Sequence, residues 1–227
     1  MTLLFIHGAG CTREVFDAQA RAFPDSHAPN LPGHACAGAP ESIAQFADAI
    51  ETYVRENELS AVVPCGHSMG GAVALELALR KPAWLSGAVL LGSGARMRVA
   101  PAILNGLRDD FEPAARTIAG YFFAEPSAQR IEAAVESMRR VGQAQTVRDF
   151  LACDAFDALD RLGSVTVPLL ALTGEADKMM PPKFALALAD RVPGAQARIV
   201  PGAGHFVMVE RPAETNESIS AFLSGLS

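Results

Sequence analysis

The stretch Ala61-Val62-Val63-Pro64-Cys65-Gly66-His67-Ser68-Met69-Gly70-Gly71-Ala72 changes hydrophobic pattern across one glycine-rich turn. Ala61 to Cys65 is a short, unbroken apolar run, the pattern of a strand buried on both faces. From Met69 to Lys81 an Ala- and Leu-rich segment predicts a helix, which Pro82 stops. Between the two lies Gly66-x-Ser68-x-Gly70, a serine on a strand-to-helix turn. Such a turn forces the serine into a strained backbone conformation and leaves its Oγ exposed above the sheet. Close packing there needs small neighbours, and Gly66, Gly70, Gly71 and Ala72 supply them.

The same alternation extends in both directions. Leu3 to Ile6, Ala88 to Leu91 and Val167 to Leu172 are further strand-like runs, and Ala197 to Val200 predicts a last strand. Ser26 to Leu31 reads as a further extended segment in a proline-punctuated setting. Helices are predicted from about Thr12 to Phe23, Ser42 to Asn57, Pro181 to Arg191 and Arg211 to Leu223. In the second of these, Ile43, Phe46, Ala47, Ile50 and Val54 recur at spacings of three and four. Strands alternating with helices define an α/β fold, a three-layer αβα sandwich around a mainly parallel sheet of about six strands. From Ala95 to Leu162 the alternation stops, and only helical stretches appear, with breaks near Pro101, Pro113, Pro126 and Gly142. The expected organisation is a core formed by residues 1–94 and 163–227, with residues 95–162 inserted as a helical cap.

Composition narrows the function. The 227 residues are 50% hydrophobic and 19% charged, enough apolar content for one well-packed domain. A net charge of −6, from 25 acidic and 19 basic residues, argues against a nucleic-acid partner. No run approaches the roughly 18 apolar residues of a membrane span, and no charged start precedes a long apolar segment. A cytoplasmic protein without a membrane partner is therefore expected. Cys11, Cys36, Cys65 and Cys153 lack zinc-site spacing and read as reduced thiols, so no structural metal is expected.

A serine hydroxyl is a poor nucleophile without a general base. His205 occupies Pro201-Gly202-Ala203-Gly204-His205-Phe206, a loop between the last strand and the last helix, where catalytic groups gather in open α/β folds. His67 adjoins Ser68 in sequence, so its ring is directed elsewhere and reads as packing. His7 reads as shaping the loop after the first strand, and His27 and His34 read as structural. The base needs an acid to hold its tautomer, and Asp177 follows the strand Val167 to Leu172. Glu175 is the nearby competitor. Two backbone N–H groups are candidates for stabilising an oxyanion: Met69, directly after the serine, and Ala9 in His7-Gly8-Ala9-Gly10, with Gly8 the alternative.

Together these segments resemble the α/β-hydrolase superfamily along essentially the whole chain. Phe5-Ile6-His7-Gly8-Ala9-Gly10 is similar to its His-Gly loop, and Gly66-His67-Ser68-Met69-Gly70-Gly71 to its nucleophile elbow. Asn30-Leu31-Pro32-Gly33-His34-Ala35 resembles its D-x-P-G-x-G turn, with Asn30 in place of Asp and Ala35 in place of Gly. Gly174-Glu175-Ala176-Asp177 and Gly204-His205-Phe206 match its acid and base loops. The resemblance implies Ser68 as nucleophile, Asp177 as acid, His205 as base and the Ala9 and Met69 amides as oxyanion donors. It also implies a small-molecule ester or lactone as substrate, with Phe111, Phe122, Met179 and Phe206 as candidate contacts. The same scaffold carries C–C bond hydrolases, lyases and cofactor-free perhydrolases, and a non-catalytic binding protein is a further alternative. Because the His-Gly loop follows the first strand after Met1, the sheet is expected to be six-stranded and wholly parallel, without the leading strands of larger members.

Overall fold

A computed structural model describes residues 1–226. Five of the apolar runs form one sheet: β1 (Thr2–Ile6), β2 (Val62–His67), β3 (Ala88–Leu91), β4 (Leu169–Gly174) and β5 (Gln196–Val200). They lie side by side in chain order, and every pairing is parallel. β2, β3 and β4 are buried along their whole length, which is why their sequences read as continuous apolar runs. β5 is an edge strand with exposed or half-buried residues up to Val200.

The expected sixth strand shrinks to one rung. His27 donates to the Leu3 carbonyl at 2.9 Å and accepts from the Phe5 N–H at 2.8 Å, a lone parallel bridge on the outer edge of β1. The next donor in that ladder belongs to position 29, and Pro29 has no N–H to give. Pro64 imposes a similar gap inside the sheet. On the β3 side, an isolated bridge joins Val62 to Leu85, and the continuous ladder begins only at Cys65 and Val89. The missing donor of Pro64 falls in the interval between them.

Helices cover both faces. On one side α1 (Asp17–Ala22) packs with α9 (Val207–Glu210) and α10 (Pro212–Ser224). The predicted Thr12–Phe23 helix is divided: its first turn, Arg13–Phe16, is a tighter 3-10 helix. On the other side α2 (Ile43–Glu56) packs on α3 (Met69–Arg80), and α8 (Lys183–Arg191) covers β4 and β5. α2 starts at Ser42, whose hydroxyl accepts the Gln45 N–H at 3.2 Å, and it buries the five residues that define its apolar face.

Between β3 and β4 the chain forms four α-helices, α4 (Pro101–Asp109), α5 (Phe111–Tyr121), α6 (Ala128–Val141) and α7 (Gln143–Ala155), followed by a 3-10 helix at Leu159–Ser164. The expected break near Pro113 falls at Asp110, between α4 and α5, and Pro113 lies just beyond it. It sits in the first turn of α5, where its absent N–H would have no partner within the helix. Gly142, with φ 87°, does end α6 and lets α7 start at once.

Parallel strands bring their C-terminal ends to one edge of the sheet. Register aligns Ile6 with Gly66, His67 with Leu91, and Leu91 with Leu172. The loops that follow β1, β2, β3, β4 and β5 therefore converge, and the inserted helices pack over them. The elbow after β2 fits because two glycines lie against backbone. A Cβ on Gly66 would overlap the Gly70 carbonyl, and one on Gly70 would overlap the Ile6 carbonyl. Gly70→Ala should cost about 3 kcal/mol in a urea titration, because a rigid carbonyl cannot yield. Gly163→Ala, with nothing within 4 Å of the new methyl, should stay within about 0.5 kcal/mol of wild type.

Candidate active site

Ser68 has φ 51° and ψ −113°, a conformation sparsely populated by residues with a side chain. Holding it there costs about 1–3 kcal/mol, which the surrounding hydrogen bonds offset. Its N–H donates to the Leu91 carbonyl at 2.9 Å, and its carbonyl accepts the Ser93 hydroxyl and the Gly71 N–H, each at 2.9 Å. The hydroxyl makes no hydrogen bond among the described residues and lines a cavity of about 60 Å³. His205 lines the same cavity.

His205 and Asp177 form a buried pair. Nδ1 of His205 lies 2.9 Å from Oδ2 of Asp177, and the two side chains are 2% and 0% exposed. Oδ2 also accepts the Thr173 hydroxyl at 3.2 Å, while Oδ1 accepts the N–H groups of Met179 at 2.9 Å and Met180 at 2.8 Å. Burial acts to raise the Asp177 carboxyl, but His205 and those two amides outweigh it and hold the group below the usual carboxylate range. With Nδ1–H directed at the carboxylate, Nε2 keeps a free lone pair. Glu175, the alternative acid, is exposed.

The remaining histidines separate clearly. His67 turns away from its neighbour and places Nε2 3.1 Å from the His205 carbonyl, with its ring 4.7 Å from that of Phe206. Burial, and then the nearby His205, push its pKa well down. His7 accepts the Leu31 N–H at Nε2 (3.0 Å) and turns Nδ1 to the Gly8 carbonyl (3.0 Å). Burial, followed by His34, lowers it to about 3, so it is a neutral brace inside the loop after β1. His27 meets the Tyr53 hydroxyl at 3.0 Å. His34 is fully buried and bonds to Asp149 of α7 at 2.8 Å, a contact with no signature in the sequence.

The two amides singled out from the sequence flank the serine. A Cβ on Gly8 would come within 3.2 Å of the Ser68 Cβ, so the loop holding Ala9 lies against the elbow. Ala9 lines the cavity, and Met69 opens α3. Neither N–H donates to an acceptor among the described residues. Two unpaired donors beside a hydroxyl that lines a cavity is an arrangement suited to receiving a negatively charged oxygen.

Of the four candidate contacts, Phe122, Met179 and Phe206 line the cavity and Phe111 does not. Phe111 starts α5 and packs, partly buried, against the core instead. Met97, Arg98, Val99, Phe150, Cys153 and Met180 complete the wall. Val99 and Cys153 carry no distinguishing sequence signal; only the folding of the insert brings them to the serine. Cys153 does not compete as a nucleophile, because burial, then Asp149 and Asp154, raise its thiol and keep it protonated. Arg98, Val99, Phe150 and Met179 also border a groove of about 680 Å³ between α4 and α5. Among the described residues no cluster of His, Cys, Asp and Glu is arranged to hold a metal ion.

Residues 3–218 match the alpha/beta hydrolase family, and the chain belongs to it. A pimeloyl-[acyl-carrier protein] methyl ester esterase of Neisseria meningitidis serogroup B is 30% identical over 223 residues, covering 88% of this chain and 84% of the relative. A thermophilic esterase of known structure is 31% identical with a TM-score of 0.85, over 99% of this chain and 90% of its own. An esterase from Exiguobacterium antarcticum superposes with a TM-score of 0.91 at 18% identity, over 99% and 92% of the two chains, a likeness of fold. Family and relatives mark this chain as a hydrolase. No helix among the described residues is long and apolar enough to cross a membrane.

The depressed histidine has a thermodynamic consequence. His7 is neutral in the folded protein down to about pH 3, while in the unfolded chain it takes up a proton near its ordinary value of 6.5. Its contribution to stability is complete above that value and is lost as pH falls towards the folded one. Urea midpoints should therefore decline from pH 6.5 to pH 4, with a shallower slope in His7→Gln than in wild type.

Proposed function

We propose that this chain hydrolyses small or medium carboxylic esters or lactones through an acyl-enzyme on Ser68, without a cofactor. The observation that carries the reading is the buried Asp177–His205 pair, whose histidine lines the same cavity as Ser68 on its strained backbone. His205 Nε2 removes the serine proton as Oγ attacks the carbonyl carbon, and Asp177 stabilises the imidazolium that forms. The N–H groups of Ala9 and Met69 receive the developing oxyanion. His205 then returns its proton to the leaving alcohol. In the second half it activates a water molecule, which releases the acid and restores Ser68.

The inserted helices act as a cap that keeps bulk water from the acyl-enzyme. The space beside Ser68 suits a short acyl group held against Phe122 and Phe206, whose rings stack at 4.3 Å. The wider groove past Met179 and Phe150 accommodates the bulkier part of the substrate. A methyl ester esterase among the relatives supports carboxylic ester chemistry. The four free cysteines fit the cytoplasmic setting expected from the sequence.

Wild-type protein should turn over p-nitrophenyl esters, and Ser68→Ala should lower kcat by at least about 10⁴-fold while remaining folded. A fluorophosphonate should label wild type at Ser68 and leave the variant unmodified. Inactivity on every acyl length, or equal activity of the variant, overturns the reading. Phe150→Ala removes part of the wall between cavity and groove, so it should shift the preferred acyl chain towards longer esters in a kcat/KM series.

A further inference from the structure

The insert does more than cover the loop after β1: it holds both polar groups of one residue in that loop. The Gly10 N–H donates to Oδ2 of Asp149 at 2.9 Å, and the Gly10 carbonyl accepts the Ser137 hydroxyl at 3.2 Å. Asp149 belongs to α7 and Ser137 to α6, more than a hundred residues away in sequence. The Asp149 carboxylate is fully buried and accepts two further hydrogen bonds at 2.8 Å, from Gln145 Nε2 to Oδ1 and from His34 Nε2 to Oδ2. The His34 ring also packs edge-on against His7, with centroids 4.7 Å apart.

A carboxylate removed from water is tolerable only when its oxygens are saturated by donors. Oδ2 joins three pieces of chain at one atom: the loop after β1, the turn at 31–34 and helix α7. On the other side of Ala9, the Gly8 carbonyl accepts the Cys11 N–H at 3.3 Å and faces His7 Nδ1. Ala9 is therefore clamped from both sides while its own N–H is unpaired.

We propose that Asp149, assisted by Ser137 and His34, is a positioning residue that fixes the Ala9 N–H for the oxyanion, so that the insert is a working part of the oxyanion hole. This rests on the proposed acyl transfer at Ser68. The insert cannot lift from the core without releasing Gly10, and releasing Gly10 lets the Ala9 amide drift. A donor displaced by about 1 Å loses most of its worth to a transition state, since stabilisation depends on preorganised geometry.

The test compares wild type with Asp149→Asn, Ser137→Ala and the surface control Glu132→Gln. In Asp149→Asn kcat should fall about 10- to 100-fold with KM changed less than about threefold. Affinity for an alkyl boronic acid, which forms a tetrahedral adduct on the serine, should fall in parallel with kcat/KM. The Gly10 amide, followed by hydrogen exchange in NMR spectra, should lose its protection. Ser137→Ala removes one hydroxyl and serves if Asp149→Asn does not fold; a kcat loss of about two- to tenfold is expected. Glu132→Gln breaks exposed ion pairs with Arg116 and Arg139 on the same insert and should leave kcat unchanged. A folded Asp149 variant with wild-type kcat and boronate affinity overturns the proposal, as does a lowered kcat with Gly10 still protected. If wild type shows neither ester turnover nor Ser68 labelling, the hydrolase reading fails instead. Gly10 exchange then decides alone whether Asp149 holds the loop.

Discussion

The backbone at Ser68 is the constraint on which the site depends. A residue with a side chain at φ 51° and ψ −113° persists only where its surroundings leave no alternative. Here β3 supplies that limit, because the Leu91 carbonyl takes the Ser68 N–H while Ser93 takes its carbonyl. β1 supplies it from the other side, since the Ile6 carbonyl lies where any side chain at position 70 would stand. Relaxing the turn would break hydrogen bonds to one neighbouring strand and open a gap against the other. The strain is thus held by the central sheet, the most deeply buried part of the molecule.

Two ionisable pairs are sealed inside this scaffold, and the same physics governs both. Asp177 with His205 and Asp149 with His34 are almost inaccessible to solvent, and each carboxylate gathers several donors. An incompletely bonded buried carboxylate would be costly, so each pair fixes the positions of all the segments that supply its donors. Asp177 in this way aligns the loop after β4 with the loop after β5. Asp149 aligns the insert with the loop after β1. Glu210 adds a third junction, accepting the Gly204 N–H at 2.6 Å and the insert's Ala124 N–H at 3.0 Å. The insert is consequently joined to the core through buried polar contacts on both sides of the cavity, as well as through the stacked Phe122 and Phe206 rings.

This arrangement links the packing of the insert to the shape of the cavity beside Ser68. A small cavity beside Ser68 and a large groove behind Met179 and Phe150 share walls contributed by the insert. Changes in the insert's helices therefore alter the shape of the cavity and groove directly. They also reach the loop after β1 through the Gly10 contacts to Asp149 and Ser137, away from the Asp177–His205 pair.

The sequence by itself determined the alternation of parallel strands with helices, the elbow with Ser68 and Met69, and the loops carrying Asp177, His205 and Ala9. Those features rest on local periodicity and turn chemistry, which act over a few residues and leave a mark in the string. Tertiary structure decided the rest. The edge strand near His27 was cut to one rung because Pro29 has no N–H to donate where the ladder needs one. Phe111 reads like any other aromatic of the insert, and only the packing of α5 sends it to the core while Val99 and Cys153 reach the cavity. Asp149 looks like one more polar residue on a helix until folding buries it against His34 and Gly10. Contacts across a hundred residues depend on how faces meet in three dimensions, and no short stretch of sequence encodes that meeting.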